Sequence, residues 1–139
     1  MQETALYHVL YIVSRHFTVS VESLIEDIRD PRVMRARIAA YWLARRTTEA
    51  TFPNIGMVFD RDHATVQNGI NKAEEMRLND PRFAAKLDRI RLAIEDDFRQ
   101  AEEAFVKVLA KSRIAVTYAR MTAIERSSQT AEKRALEVA

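Results

Sequence analysis

Apolar residues return every three or four positions along most of the chain, the spacing of one buried helix face. The first series is Leu6, Val9, Leu10, Val13 and Phe17, which predicts a helix from about Glu3 to His16. Ser20 is placed to cap a short second helix over 21–28, with Val21, Leu24, Ile25 and Ile28 inward. Asp30-Pro31 joins a capping residue to a proline at the first helical position and opens a third helix that runs to about Thr47. Its expected buried stripe is Met34, Ile38, Tyr41 and Trp42, with Trp42 read as core.

Thr51-Phe52-Pro53 repeats the start signal for a short helix containing Ile55, Val58 and Phe59. After Asp60-Arg61, Asp62 caps a fifth helix in which Val66, Ile70, Ala73 and Met76 recur to about Leu78. Two helices joined by about three residues is the helix-turn-helix plan, whose second helix offers its N-terminal end to the major groove. An αα-hairpin with no nucleic-acid role shows the same spacing. Asp80-Pro81 then starts a long helix with Leu87, Ile90, Ile94, Phe98, Ala101, Phe105 and Val108 on one stripe. That stripe either folds back on the preceding module or pairs with another chain, and pairing is the favoured expectation. Ile114, Val116, Tyr118, Met121 and Ile124 continue it or form another short helix, and from Ser127 onward a polar, frayed tail is expected. The expected divisions are therefore 1–79, 80–126 and 127–139.

Composition agrees with an all-α fold, because 2 Gly and 3 Pro in 139 residues leave too little turn chemistry for many short strands. The absence of Cys excludes disulfides, thiolate metal sites and a cysteine nucleophile. No signal peptide or membrane-length apolar run is seen, so a cytoplasmic protein without membrane association is expected. Net charge is only +2, but six arginines fall between Arg29 and Arg46 against the single acid Asp30. Residues 87–139 hold ten basic and nine acidic side chains and are near neutral. A local arginine excess suits phosphate or guanine contacts, and it also suits a solvated helix face.

The strings Arg37-Ile-Ala-Ala-Tyr-Trp-Leu, Phe52-Pro-Asn-Ile-Gly and Phe59-Asp-Arg-Asp-His-Ala-Thr-Val66 resemble the C-terminal DNA-binding domain of the bacterial chromosomal replication initiator, DnaA. The resemblance covers roughly residues 5–78 and implies a multi-helix, Trp-repressor-like helix-turn-helix domain followed by a long C-terminal helix. It implies that Arg61, Asp62, His63, Ala64 and Thr65 stand at the groove-facing start of the recognition helix. It further implies that Arg29 reaches an A·T-rich minor groove, that Arg37 and Arg45 meet the backbone, and that Phe52 and Pro53 lie beside the DNA. Ala64 stands where the family usually has Thr, and Asp60 replaces the usual Gly pair in a turn one residue shorter.

No Gly-x-x-x-x-Gly-Lys-Ser/Thr loop is present, so the initiator's ATPase is missing from this chain. His8, His16 and His63 have no metal-ligand spacing, and adjacent acids such as Asp96 and Asp97 point apart on a helix. A non-enzyme without cofactor, metal or small-molecule substrate is expected. Its partner would be double-stranded DNA at a DnaA-box-like site in the nucleoid, in transcription or control of replication initiation, with a homo-oligomer through the C-terminal helix. The rival reading is a helical adaptor whose arginine cluster meets an acidic protein.

Overall fold

The computed structural model describes the backbone of residues 2–111 and 113–138 and the side chains of 3–111 and 117–136. All described secondary structure is helical: α1 (Gln2–Phe17), α2 (Val21–Ile25), α3 (Pro31–Thr47), α4 (Phe52–Phe59), α5 (His63–Asn79), α6 (Pro81–Ala110) and α7 (Arg113–Val138). The starts follow local side-chain chemistry. The Ser20 hydroxyl accepts from the Ser23 N–H, Asp30 from Arg32, Thr51 from Asn54 and Asp62 from Thr65, each meeting a donor that the first helical turn leaves unpaired. Asp80 accepts from the N–H groups of Arg82 and Phe83 with one carboxylate oxygen and from the Arg35 guanidinium at 2.8 Å with the other.

α2 stops at Ile25, three residues short of the expected end. Glu26 is extended (ψ 158°), and the carbonyls of Ser23, Leu24, Glu26 and Ile28 turn toward the guanidinium of Arg37 instead of continuing a helix.

Two compact units divide at Asp96/Asp97, inside α6. In the first, α3 is central, with α1 and α5 packed against it. Its expected single stripe is therefore too narrow. Tyr41 and Trp42 are buried, but so are Val33, Ala36, Ala39, Ala40, Leu43 and Ala44, while Met34 is exposed and Ile38 only half-buried. A helix with neighbours on two sides buries two faces, and small alanines let both neighbours approach. Trp42 is core as expected. Its indole Nε1 donates to Glu74 at 2.9 Å, and the guanidinium of Arg77 lies 4.5 Å from the ring centroid. Tyr41 meets Phe59 edge to face, with ring centroids 4.6 Å apart. A Cβ at Gly69 would fall inside contact distance of the Tyr41 ring, so glycine lets α5 close on α3.

The expected boundary at residue 79 is corrected by α6. Phe83, Leu87, Ile90 and Ile94 are all buried in the first unit, which runs to Asp96. Arg77 of α5 donates to the Ala84 carbonyl and the Asp88 carboxylate, and Lys86 lies 4.0 Å from the Phe17 ring centroid of α1. The first half of the long stripe thus folds back, and only its second half is left for another role.

The second unit holds the rest of α6 and α7. Phe105, Val106, Val108, Tyr118, Met121 and Ile124 are exposed, and Phe105, Val106, Leu109 and Tyr118 are among the residues that line a groove of about 530 Å³. Ile114 and Val116 lie outside the described side chains. The frayed tail expected from Ser127 is instead helical to Val138. Its run of Ala, Glu, Lys, Arg, Gln and Leu has strong intrinsic helix preference, which overrides polarity as a guide.

Candidate nucleic-acid interface

The candidate surface is built by the connection from α4 to α5. α4 ends at Asp60, a non-glycine residue in the left-handed region (φ 53°, ψ 47°), whose N–H bonds back to carbonyls of Gly56 and Met57. The Arg61 N–H follows with 2.8 Å to the Gly56 carbonyl. A Cβ at residue 56 would collide with the Arg61 backbone carbonyl, so this tight return requires glycine. Phe59, Ile55 and Val66 are buried beneath the turn, which fixes how α5 leaves it.

Asp62 then caps α5 through a 2.8 Å bond from the Thr65 N–H to Oδ1. That bond, with a second from the Thr65 side chain, holds the Asp62 carboxyl below its ordinary value. One Asp62 oxygen is thus already taken by the cap. His63, Ala64 and Thr65 are exposed on the first turn, as the sequence leads one to expect. Intrahelical bonding begins only with the Val66 N–H to the Asp62 carbonyl, so the His63 and Ala64 amides meet solvent at the positive end of the helix dipole.

Sequence reasoning passed over the continuation of this face. Ala64, Asn68 and Asn71 recur at helical spacing and are exposed, with Thr65 and Lys72 beside them. The available signal was the amides themselves: Asn is a poor helix former, and its side chain suits the edge of adenine.

Arg45 and Phe52 come together. The Arg45 guanidinium lies 4.7 Å from the Phe52 ring centroid and donates to the Ala50 carbonyl at 2.8 Å, leaving it exposed at the start of α4 beside Pro53. Arg29 is also free to reach outward: its side chain is 85% exposed in the α2–α3 loop, with only Asp27 at 4.0 Å.

Arg37 and Arg61 do something else. Arg37 is 7% exposed, and its guanidinium donates to the carbonyls of Leu24, Ile28, Ser23 and Glu26. The expected backbone contact by Arg37 is corrected: its donors are spent inside the protein, where they replace water for four carbonyls that no helix satisfies. Arg61 donates to Ile25 and Glu26 from one side and to Phe59 from the other. Together they tie the loop that carries Arg29 to α3 and to the turn before α5. Both are positioning residues for the exposed groups.

No helix among the described residues is long and apolar enough to cross a membrane, and no cluster of three metal-ligating side chains occurs among them.

Helix pair, tight turn, capped and exposed second helix: residues 52–79 define a helix-turn-helix, packed on α1 and α3. The model of the bacterial DnaA helix-turn-helix family matches residues 7–73, so this stretch is similar to that helix-turn-helix. The chromosomal replication initiator protein DnaA of Lachnoclostridium phytofermentans is 36% identical over 81 residues, covering 58% of this chain and 18% of the relative. DnaA of Roseobacter denitrificans is 33% identical over 85 residues, 60% of this chain and 19% of its own length. The chain thus spans less than a fifth of either of these relatives. A crystal structure of a DNA replication initiation factor matches with a TM-score of 0.64 and 27% identity over 69% of this chain and 30% of the other.

Proposed function

We propose that residues 1–96 bind double-stranded DNA at sites like the DnaA box, as a non-catalytic reader that controls transcription or replication initiation at the nucleoid. The observation that carries this is the open first turn of α5, with His63, Ala64 and Thr65 exposed, flanked by the unburied Arg29 and Arg45. In this reading backbone contacts orient the domain, and the α5 face from Ala64 to Lys72 reads bases. With the Arg37 donors spent inside the protein, three to five phosphate contacts are expected, supplied by Arg29, Arg45 and the starts of α4 and α5. At about 0.9 per phosphate, the log–log salt slope of binding is then about −2.7 to −4.5. Competition binding with preferred and scrambled duplexes at several salt concentrations tests it. Preference for a box with that slope supports the reading. Binding to no duplex at moderate salt overturns it in favour of an adaptor for an acidic protein.

The second unit favours self-association as an added property. Phe105, Tyr118, Met121 and Ile124 are each more than half exposed on two helices too short of neighbours to bury them, and a second copy offers the same apolar faces in return. Sedimentation of the full chain at micromolar concentration gives a dimer if this holds and a monomer if it does not.

A further inference from the structure

The α5 start leaves a second group of cations unused. On α6, Arg82, Lys86 and Arg89 fall within about 60° of one another at about 100° per residue, forming a row about 10 Å long. The row flanks the buried edge formed by Phe83, Leu87, Ile90 and Ile94. The end of α1 joins it: Lys86 lies over the Phe17 ring, and Arg15 and His16 are exposed in the last turn. Among the described residues none of these side chains forms an ion pair. The nearby acids are occupied elsewhere, Asp80 by Arg35 and Asp88 by Arg77.

The groups feel one another. Burial, then the charges of Lys86, Arg15 and Arg89, hold the His16 imidazole below its ordinary value. Burial, then Arg35 and Arg89, do the same to the Lys86 ammonium. No carboxylate is among the charges acting on either, so the patch is positive and uncompensated.

Its place in the fold separates it from the first surface. Asp80, at the far end of α5, holds Arg35 next to this patch, whereas His63 opens the helix 17 residues earlier, about 26 Å away at ~1.5 Å per residue. A major groove is only about 8.5 Å deep, so the groove that takes the first turn of α5 does not reach the Asp80 end of the helix.

We propose that Arg82, Lys86 and Arg89, with Arg15 and His16, form a second, sequence-independent surface for the phosphodiester backbone of DNA, so that one domain holds two duplex segments. A duplex presents a phosphate about every 3.4 Å of axis on each strand, and a row about 10 Å long meets two or three of them. The two aromatic rings among these cations, Phe17 and Tyr11, carry Lys86 at 4.0 Å and Arg15 at 5.8 Å over them.

The proposal rests on the α5 reading only for the first duplex. To test it, the full chain is loaded on a bead-bound duplex carrying its preferred site and offered a second, labelled random duplex. The wild type captures the second duplex. The triple variant Arg82→Gln, Lys86→Gln, Arg89→Gln stays on the beads, keeps its helical circular dichroism and loses the capture. The salt slope of wild-type capture is about −2 to −3, at ~0.9 per phosphate. Absence of capture by the wild type overturns the proposal. So does capture that survives in the triple variant, which would assign the bridging to two α5 surfaces in a self-associated chain. A chain that holds neither duplex overturns this proposal and the α5 reading together, whereas one that holds only the first overturns this proposal alone.

Discussion

The Nε of Arg37 donates to the carbonyl oxygen of Leu24 at 2.8 Å, joining α3 to the end of α2 inside the protein. With three further carbonyls on the same guanidinium, the most buried arginine of the cationic cluster becomes a structural tie for the loop that presents Arg29. Arg37→Ala is therefore expected to destabilise the domain by about 3 kcal/mol or more, because it leaves several carbonyls without donors and opens a cavity. Urea denaturation reads this directly. Arg37→Lys recovers little, since an ammonium cannot span four carbonyls with the fork of a guanidinium. An unchanged urea midpoint in Arg37→Ala would contradict the assignment.

What the chain made legible was local. Asp30-Pro31, Thr51 with Pro53, Asp62 and Asp80-Pro81 each open a helix where expected, because a cap depends on residues within one turn. The long-range features were hidden. Periodicity shows one stripe, so it missed that α3 buries two faces, and it could not say that α6 packs on the first unit as far as Ile94 and then leaves its apolar face open. An arginine that reaches DNA and one that binds carbonyls thirteen residues away look alike in sequence. Arg37 and Arg61 turn inward because α2 ends where it does and frees carbonyls for them, while Arg29 stays exposed in the loop that follows.

Asp60 holds a left-handed conformation at the end of α4 that costs an L-residue about 1–2 kcal/mol and glycine almost nothing. Part of that gain is offset by the greater freedom of glycine in the unfolded chain. Asp60→Gly is accordingly expected to stabilise the domain by about 0.5 kcal/mol, visible as a small rise in melting temperature. A fall would mean that the Asp60 side chain makes a contribution the backbone geometry does not account for.

Glu74 Oε1 accepts from both Arg46 and the Trp42 indole at 2.9 Å, and these bonds, Arg46 first, hold its carboxyl below the ordinary 4.5. The unfolded chain binds the proton more readily. The stabilisation is thus complete above about pH 4.5 and is lost as pH falls through the lower, folded-state value. With the Glu74 side chain 44% exposed, solvent keeps the effect within the ~0–1 kcal/mol of surface pairs. Glu74→Gln keeps an acceptor for the indole and is expected to flatten the acid limb of stability measured from pH 5 downward. An identical acid limb in the variant would rule out this linkage.

The exposed start of α5 leads to a division of labour that separate substitutions resolve. His63 is exposed on the first turn and has no structural bond to lose, so His63→Ala leaves stability nearly unchanged. If it reads a base edge, the same change costs about 1–3 kcal/mol on the preferred duplex and little on random sequence. Arg45 lies against Phe52 at the start of α4, where the proposed reading has a cation meet phosphate. Arg45→Ala is expected to weaken both duplexes alike and to lower the salt slope by about one. Arg29→Ala should hurt most where the adjacent minor groove is A·T-rich and narrow. Ala64→Thr adds a hydroxyl beside Asn68 and shifts preference toward a box read through Thr, provided the one-residue-shorter turn at Asp60 keeps α5 at the same depth. Competition binding with specific and scrambled duplexes measures all four. Equal losses on both duplexes for His63→Ala would make His63 a backbone contact and move base reading further along α5, to Asn68 and Asn71.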